Sequence, residues 1–259
     1  MKALVLSAGY GERLRPLTEK IPKPLLTIGG RPLIHYPLLM LKHAGITEIA
    51  INVHHLADQI QNALGDGSSL GIKITYSPEK TLRGTGGPLP ALRSFFGTDS
   101  FVVLNSDTIL ALDLRAMIEF HRQCGGLATL ALAVVRRPEA YSRIEMDSDA
   151  RIRRMRLLKD RGRGDFNDYP KGLTAVMAAT LKPYTYCGVL VSEPAVLGMA
   201  PKAPAFSLMS DLLAPIVAQG PPVFGYVHKG YFRTVDDLAA YQMLSAEFSM
   251  NRPRFDYLP

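Results

Sequence analysis

The feature that most constrains this chain is the stretch Leu6-Ser-Ala-Gly-Tyr-Gly-Glu-Arg-Leu-Arg-Pro-Leu-Thr-Glu-Lys-Ile-Pro-Lys-Pro-Leu25. The run before it, Lys2 to Leu6, is rich in Leu and Val, as a buried parallel strand would be. Gly9 and Gly11 then let the backbone turn sharply and lie close to a ligand. Arg13 and Lys23 fall within reach of whatever that loop holds. Backbone amides plus two fixed cations after a strand suit a polyphosphate. The glycines alone are a weak signal, because a Gly-x-Gly is often only a tight turn. The third glycine of the dinucleotide fingerprint is absent, and no Gly-Lys-Ser/Thr of a Walker loop follows. The second half of the string adds the specificity. Pro22 and Pro24 flank Lys23 and predict an extended local path that gives the lysine a defined position.

A loop of this kind needs a strand–helix frame, and the rest of the chain supplies one. Apolar runs at 48–53, 73–76, 101–104 and 129–135 read as strands. Helix-spaced apolar positions run through 32–43, 56–64, 88–95 and 114–124, with Pro32 and Pro88 placed as first-turn prolines. The alternation predicts an α/β fold with a doubly wound, mostly parallel sheet and ligands at the carboxyl ends of its strands. Beyond about residue 136 the pattern changes. A hairpin is expected from 143–146 and 152–155 around Asp147-Ser-Asp-Ala150, then a polar mobile loop over 160–172. Strands follow at 185–191 and 223–227, with helices at 210–219 and 235–248. No repeat and no linker divides the chain, so one domain over 1–259 is expected, with a nucleotide-binding half (1–135) and an acceptor-binding half (136–259). The hexapeptide period of a left-handed β-helix is absent.

Composition narrows the class. The hydrophobic share of 47% and charged share of 20% are those of an ordinary globular protein. No apolar run approaches the roughly 20 residues of a membrane span. The start of the chain has no signal-peptide layout, and two cysteines, Cys124 and Cys187, make no disulfide framework. A cytoplasmic protein with reduced core thiols is the expectation. The net charge of +7 suits anionic small substrates. It would also suit nucleic acid, but no Lys/Arg block is interleaved with aromatics as single-strand binding requires. The basic patch from Arg151 to Arg156, continued by Lys159, Arg161 and Arg163, reads as a solvated face. A homo-oligomer is compatible with the sequence.

Two further groups carry chemistry. Asp107, in Leu104-Asn-Ser-Asp-Thr, follows the most apolar strand, where a carboxylate can hold Mg²⁺ together with phosphate oxygens and water. The bland alternative is a turn or cap residue. The segment Glu79-Lys-Thr-Leu-Arg-Gly84-Thr-Gly-Gly-Pro88 has glycines that would let a flat base approach the backbone. Glu79 could accept from a base imide and, in guanine, from the exocyclic amine as well. His54 and His55 invite a metal reading, but zinc sites need three or four ligands. A loop pair at a strand end is the expectation.

The string Gly9-Tyr-Gly-Glu-Arg-Leu-Arg-Pro-Leu-Thr with Pro22-Lys-Pro24 resembles the signature of the sugar-1-phosphate nucleotidyltransferases, the nucleotide-sugar pyrophosphorylases. The 84–89 segment looks closest to the mannose-1-phosphate guanylyltransferase and N-acetylmuramate-1-phosphate uridylyltransferase types. The resemblance implies a Rossmann-like, glycosyltransferase-A-like fold. It also implies a reaction in which a sugar 1-phosphate attacks the α-phosphorus of an NTP, GTP or UTP being favoured, and pyrophosphate leaves. It implies catalytic roles for Arg13, Lys23 and Asp107, with Mg²⁺ on Asp107. Nucleotide contacts would fall on Ala8, Gly9, Gly11, Glu79, Gly84 and Thr85, and sugar-phosphate contacts on Lys159 and Gly188. The partners would be an NTP and a sugar 1-phosphate, in the supply of cell-envelope polysaccharide.

The second half departs from the family pattern. The Glu-Lys-Pro motif stands as Leu158-Lys159-Asp160, and the Asn-x-Gly as Tyr186-Cys187-Gly188. The second metal Asp, counted back from Thr234, falls on Tyr231. Either the second carboxylate comes from elsewhere, with Asp211 and Asp236 as candidates, or the metal is held by Asp107 and phosphates alone, or catalysis is impaired. Both candidates also read as early-helix residues favoured by the dipole. Alternatives therefore stand beside the main reading: a nucleotide-sugar-binding relative without turnover, or a transferase with a non-sugar acceptor.

Overall fold

The computed structural model describes residues 1–134, 142–158, 166–170, 174, 178–250 and 253–258. Its strands, in chain order, are β1 (Lys2–Leu6), β2 (Thr27–Ile28), β3 (Arg31–Pro32), β4 (Glu48–Val53), β5 (Lys73–Pro78), β6 (Phe101–Asn105), β7 (Thr108–Leu110), β8 (Ala128–Val134), β9 (Arg143–Met146), β10 (Ile152–Leu158), β11 (Phe166–Tyr169), β12 (Lys182–Ser192), β13 (Val223–Val227) and β14 (Phe232–Thr234). The chain folds into two compact units that interleave in sequence. The first comprises 1–82, 94–114 and 230–259, the second 83–93 and 115–229.

In the first unit β6, β1, β4 and β5 lie side by side, all parallel. Ala3, Leu4, Val5, Ile49, Ala50, Ile51, Val102 and Val103 are fully buried, which is why β1, β4 and β6 read as mainly apolar runs, whereas the edge strand β5 is partly exposed. Helices His35–His43 and Ala57–Leu64 belong to the same unit. The expected first-turn role of Pro32 is not observed. Gly29 and Gly30, both at positive φ, close a two-residue hairpin that pairs Ile28 with Arg31 and Thr27 with Pro32. The helix therefore starts only at His35. Lys23 also differs from expectation. Pro22 is extended, but Lys23–Leu25 is a 3-10 turn closed by Leu25 N–H to the Pro22 carbonyl. The lysine is held by a turn and not by an extended path.

The second unit carries a mixed sheet in the order β11-β10-β9-β12-β8-β13. From Arg115 on, helix Leu114–Cys124 buries Met117, Ile118 and His121 at helical spacing. His121 is 1% exposed and bonds Thr129 Oγ1 and Glu193 Oε1. The hairpin 143–158 stands as expected, but β11 replaces part of the predicted loop. Pairing with β10 accounts for that strand. Arg143 and Arg156 also lie over the Phe166 ring, and Arg156 pairs with Asp168 at 2.9 Å. Residues 160–165 and 171–172 of the expected loop, Arg161 and Arg163 among them, and Lys159 lie outside the described residues. The basic patch is tied down by acids and a carbonyl: Arg151 to Gly220 O, Arg153 to Asp147 and Arg154 to buried Glu145.

The helix expected from residue 210 begins as a π-helical turn, Leu208–Leu213, and continues as α over Ala214–Gln219. The last helix begins at Leu238, not Val235, because Asp237 Oδ1 accepts Ala240 N–H at 2.8 Å. Asp236 is thereby left ahead of the helix.

Candidate functional site

Strand register in the first unit brings the chemistry-bearing segments to one edge. Leu6 lies opposite both Asn52 and Asn105, and Val53 opposite Pro78. The residues that follow these strand ends, Ser7 to Gly11, His54-His55, Glu79 and Ser106-Asp107, leave the sheet together. Ser106 N–H donates to the Leu6 carbonyl at 3.2 Å, which couples the first loop to the Asp107 loop.

The first loop is built around Gly11. Its φ of 66° lies in the left-handed region, and a Cβ there would meet Thr18 Cγ2 at 2.9 Å. Thr18 is 1% exposed and donates its hydroxyl to the Gly11 carbonyl at 2.9 Å. The Arg15-Pro-Leu-Thr half of the string thus folds back beneath the glycine half. Ala8 is buried, whereas a Cβ on Gly9 would meet nothing within 4 Å. Gly9 is the open point of the loop. Arg13 is half exposed and projects its guanidinium to 3.6 Å from the Asp236 carboxylate.

Asp107 is ion-paired with Lys23, and both are largely buried. Its Oδ1 has one long contact, 3.5 Å from the Thr108 hydroxyl. Strands β7 and β14 pair antiparallel, with Thr108 opposite Thr234, and Val235 N–H donates to the Asp107 carbonyl at 3.1 Å. The residue next along the chain is Asp236, whose Oδ2 accepts the Thr234 hydroxyl at 3.1 Å. By this register Asp236, and not Tyr231, follows directly on the contact to the Asp107 carbonyl. The Tyr231 carbonyl pairs with Ala111 N–H, and its ring lies against Phe248, Phe255 and the Arg233 guanidinium. Asp211 belongs to the second unit, where it accepts Ser207 N–H at 2.7 Å and the Ser210 hydroxyl at 2.9 Å. That is a helix-start role. Among the described residues no group of three or more His, Cys, Asp or Glu could cage a metal ion. One or two carboxylates with an unfilled lone pair on Asp107 suit Mg²⁺, which fills its shell with phosphate oxygens and water.

Glu79 is 5% exposed. Asn52 Nδ2 donates to its Oε1 at 2.8 Å, and Ser7 N–H donates to Asn52 Oδ1 at 2.8 Å. This chain of bonds runs from the first loop to the Glu79 carboxylate. Sequence reasoning passed over Asn52, although a lone amide in the apolar run 48–53 is a usable signal. A buried polar side chain in a strand needs partners.

In the second unit, the glycines at 84–87 have an internal reason. Gly84 has φ 70°, and a Cβ there would lie 2.5 Å from the Phe206 carbonyl oxygen. Gly86 faces the Phe206 ring, its N–H donating to the Phe206 carbonyl at 2.9 Å. Thr85 Oγ1 accepts Leu208 N–H at 2.9 Å. Gly188 has φ 77° where the β12–β8 register shifts, so it marks a bulge. Beside it, burial pushes the Cys187 thiol up to about 12. Cys124 and Cys187 are both free thiols.

The chain is 49% identical over 121 residues to the N-acetylmuramate alpha-1-phosphate uridylyltransferase of Neisseria meningitidis serogroup B, covering 46% of this chain and 52% of that protein. It is 40% identical over 152 residues to the mannose-1-phosphate guanyltransferase of Pichia angusta, covering 58% of this chain and 42% of that protein. The matched stretches thus span about half the length of these relatives. The solved structure of HddC from Yersinia pseudotuberculosis shares the fold, with a TM-score of 0.74 at 21% identity, covering 95% of this chain and 99% of that one. The family model described as nucleotidyl transferase matches residues 2–156, well over half the chain, and the chain belongs to that family.

Proposed function

We propose that this protein is a sugar-1-phosphate nucleotidyltransferase that joins an NTP and a sugar 1-phosphate into an NDP-sugar and releases pyrophosphate. The observation that carries the proposal is the joint placement of Lys23, Arg13, Asp107 and Asp236 at the strand-end edge of the first unit. A sugar phosphate is already anionic, so attack on the α-phosphorus needs no general base. Positioning and charge neutralisation suffice. Arg13 and the amides around Gly9 and Gly11 would hold the β- and γ-phosphates and stabilise the leaving pyrophosphate. Lys23 would bridge the α-phosphate and the incoming phosphate. Asp107 and Asp236 would hold Mg²⁺, which would supply charge neutralisation at the α-phosphate.

Glu79, oriented by Asn52, is assigned to the base. GTP and UTP both offer an imide N–H to a carboxylate, and relatives of both kinds match the chain. Gly84 and Thr85 are assigned to the base, and Lys159 and Gly188 to the acceptor phosphate, on the family resemblance. The NDP-sugar would serve cell-envelope polysaccharide from the cytoplasm, where NTPs are made. No described helix is long and apolar enough to cross a membrane. The test is pyrophosphate release from a panel of NTPs and sugar 1-phosphates with Mg²⁺. Release with GTP or UTP and one sugar phosphate is expected, and no release with any pair overturns the proposal.

A further inference from the structure

The two histidines that follow β4 reach opposite halves of the first loop. His54 Nδ1 lies 2.7 Å from the Glu79 carbonyl oxygen. A carbonyl only accepts, so Nδ1 carries the proton, and in the neutral ring Nε2 accepts the Tyr10 hydroxyl at 3.1 Å. His55 Nε2 lies 2.8 Å from the Thr18 carbonyl and donates to it. Tyr10 stands between Gly9 and Gly11, its ring 5.4 Å from each imidazole in edge contact. Thr18 in turn donates to the Gly11 carbonyl. Two adjacent side chains therefore tie the tip of the loop and its return to one strand end.

A glycine loop has the most backbone freedom to lose on ordering. Amides that must be immobilised as the ligand arrives bind it more weakly than amides already in place. Among the described residues no third His, Cys, Asp or Glu joins them in a group that could hold a metal ion.

We propose that His54 and His55 are positioning residues that hold the loop amides ready for a polyphosphate, His55 through Thr18 and His54 through Tyr10. The inference rests on reading this loop as a nucleotide-phosphate site.

The test uses inorganic tripolyphosphate with Mg²⁺, which carries no base and no sugar, titrated calorimetrically into the full chain. His55→Leu is expected to weaken binding about tenfold, the loss of one well-placed hydrogen bond, with a melting temperature close to that of the parent. His55→Gln, whose amide N–H can still reach the Thr18 carbonyl, is expected to restore most of the affinity. Should His55→Leu not fold, Tyr10→Phe removes a single exposed-side oxygen from the other half of the clamp and is expected to cost about threefold. Unchanged affinity in the variant that folds, or a Gln variant no better than Leu, overturns the clamp while the nucleotide reading stands. Absence of tripolyphosphate binding to the parent protein overturns both.

Discussion

The Lys23 ammonium is ion-paired to the Asp107 carboxylate across 84 positions of sequence. The proposed reaction needs each of these groups for another partner, the lysine for phosphate and the aspartate for Mg²⁺. Arg13 and Asp236 repeat the arrangement at 3.6 Å. In a partly buried site a phosphate cannot strip Lys23 from Asp107 without leaving two anions face to face. Nucleotide and divalent cation should therefore exchange partners with both pairs and favour one another's binding reciprocally.

Asp107→Asn isolates that exchange. With EDTA present, the variant is predicted to bind GTP or UTP more tightly than the parent, because Lys23 is no longer neutralised. With Mg²⁺, its turnover is predicted to fall about a hundredfold or more. Calorimetry and pyrophosphate release give the two numbers. Weaker metal-free binding in the variant would count against the exchange.

Counting back from Thr234 puts the second Asp position on Tyr231, where no carboxylate stands, whereas the β7–β14 register puts the Asp236 carboxylate next to the Asp107 loop. Asp236→Ala is predicted to raise the Mg²⁺ concentration for half-maximal turnover about tenfold, as for loss of roughly 1.4 kcal/mol of cation binding. Tyr231→Phe is predicted to leave it unchanged. A Mg²⁺ titration of both variants decides, and a shift confined to Tyr231→Phe would defeat the assignment.

Gly11 is required by backbone as well as by space. An alanine at φ 66° pays about 1–2 kcal/mol for the left-handed conformation, and its Cβ would press on Thr18. Gly11→Ala is predicted to destabilise the protein by at least about 1 kcal/mol in urea unfolding and to weaken tripolyphosphate binding. Gly9→Ala, facing open space, should be near neutral in stability. Equal stability losses at the two positions would refute the distinction.

Asp147 gives a pH prediction in the second unit. Burial raises its carboxyl, but the Arg153 guanidinium and the N–H groups of Arg151 and Asp149 outweigh burial and hold it below the usual carboxylate range. A depressed carboxylate stabilises the fold fully above its unfolded value of about 4 and loses that contribution as pH falls through the lower folded value. Asp147→Asn is predicted to cost about 1 kcal/mol at pH 7, with the difference from the parent shrinking below about pH 4. A pH-independent difference between the two melting curves would show that the carboxylate charge is not responsible.

Much of the frame was legible along the chain because it is local. Runs such as 101–104 are apolar throughout since both faces are covered, and the spacing of Leu114, Met117, Ile118 and His121 marks their helix directly. The string from Gly9 to Lys23 specified its own turn, down to the threonine that packs beneath Gly11. Other features were not local. The glycines at 84–87 were legible as a demand for close approach, but the approaching group, Phe206, comes from a distant segment.

The sequence by itself determined a glycine loop at a strand end, a parallel α/β frame and a carboxylate at Asp107. Only the tertiary structure decided that Lys23 meets Asp107, that Asn52 orients Glu79, and that Asp236 rather than Tyr231 stands beside the Asp107 loop. The division has a physical cause. Periodicity and turn chemistry are set by neighbours along the chain. Register between strands such as β7 and β14 is set by which buried surfaces and hydrogen bonds are satisfied together when the whole unit closes.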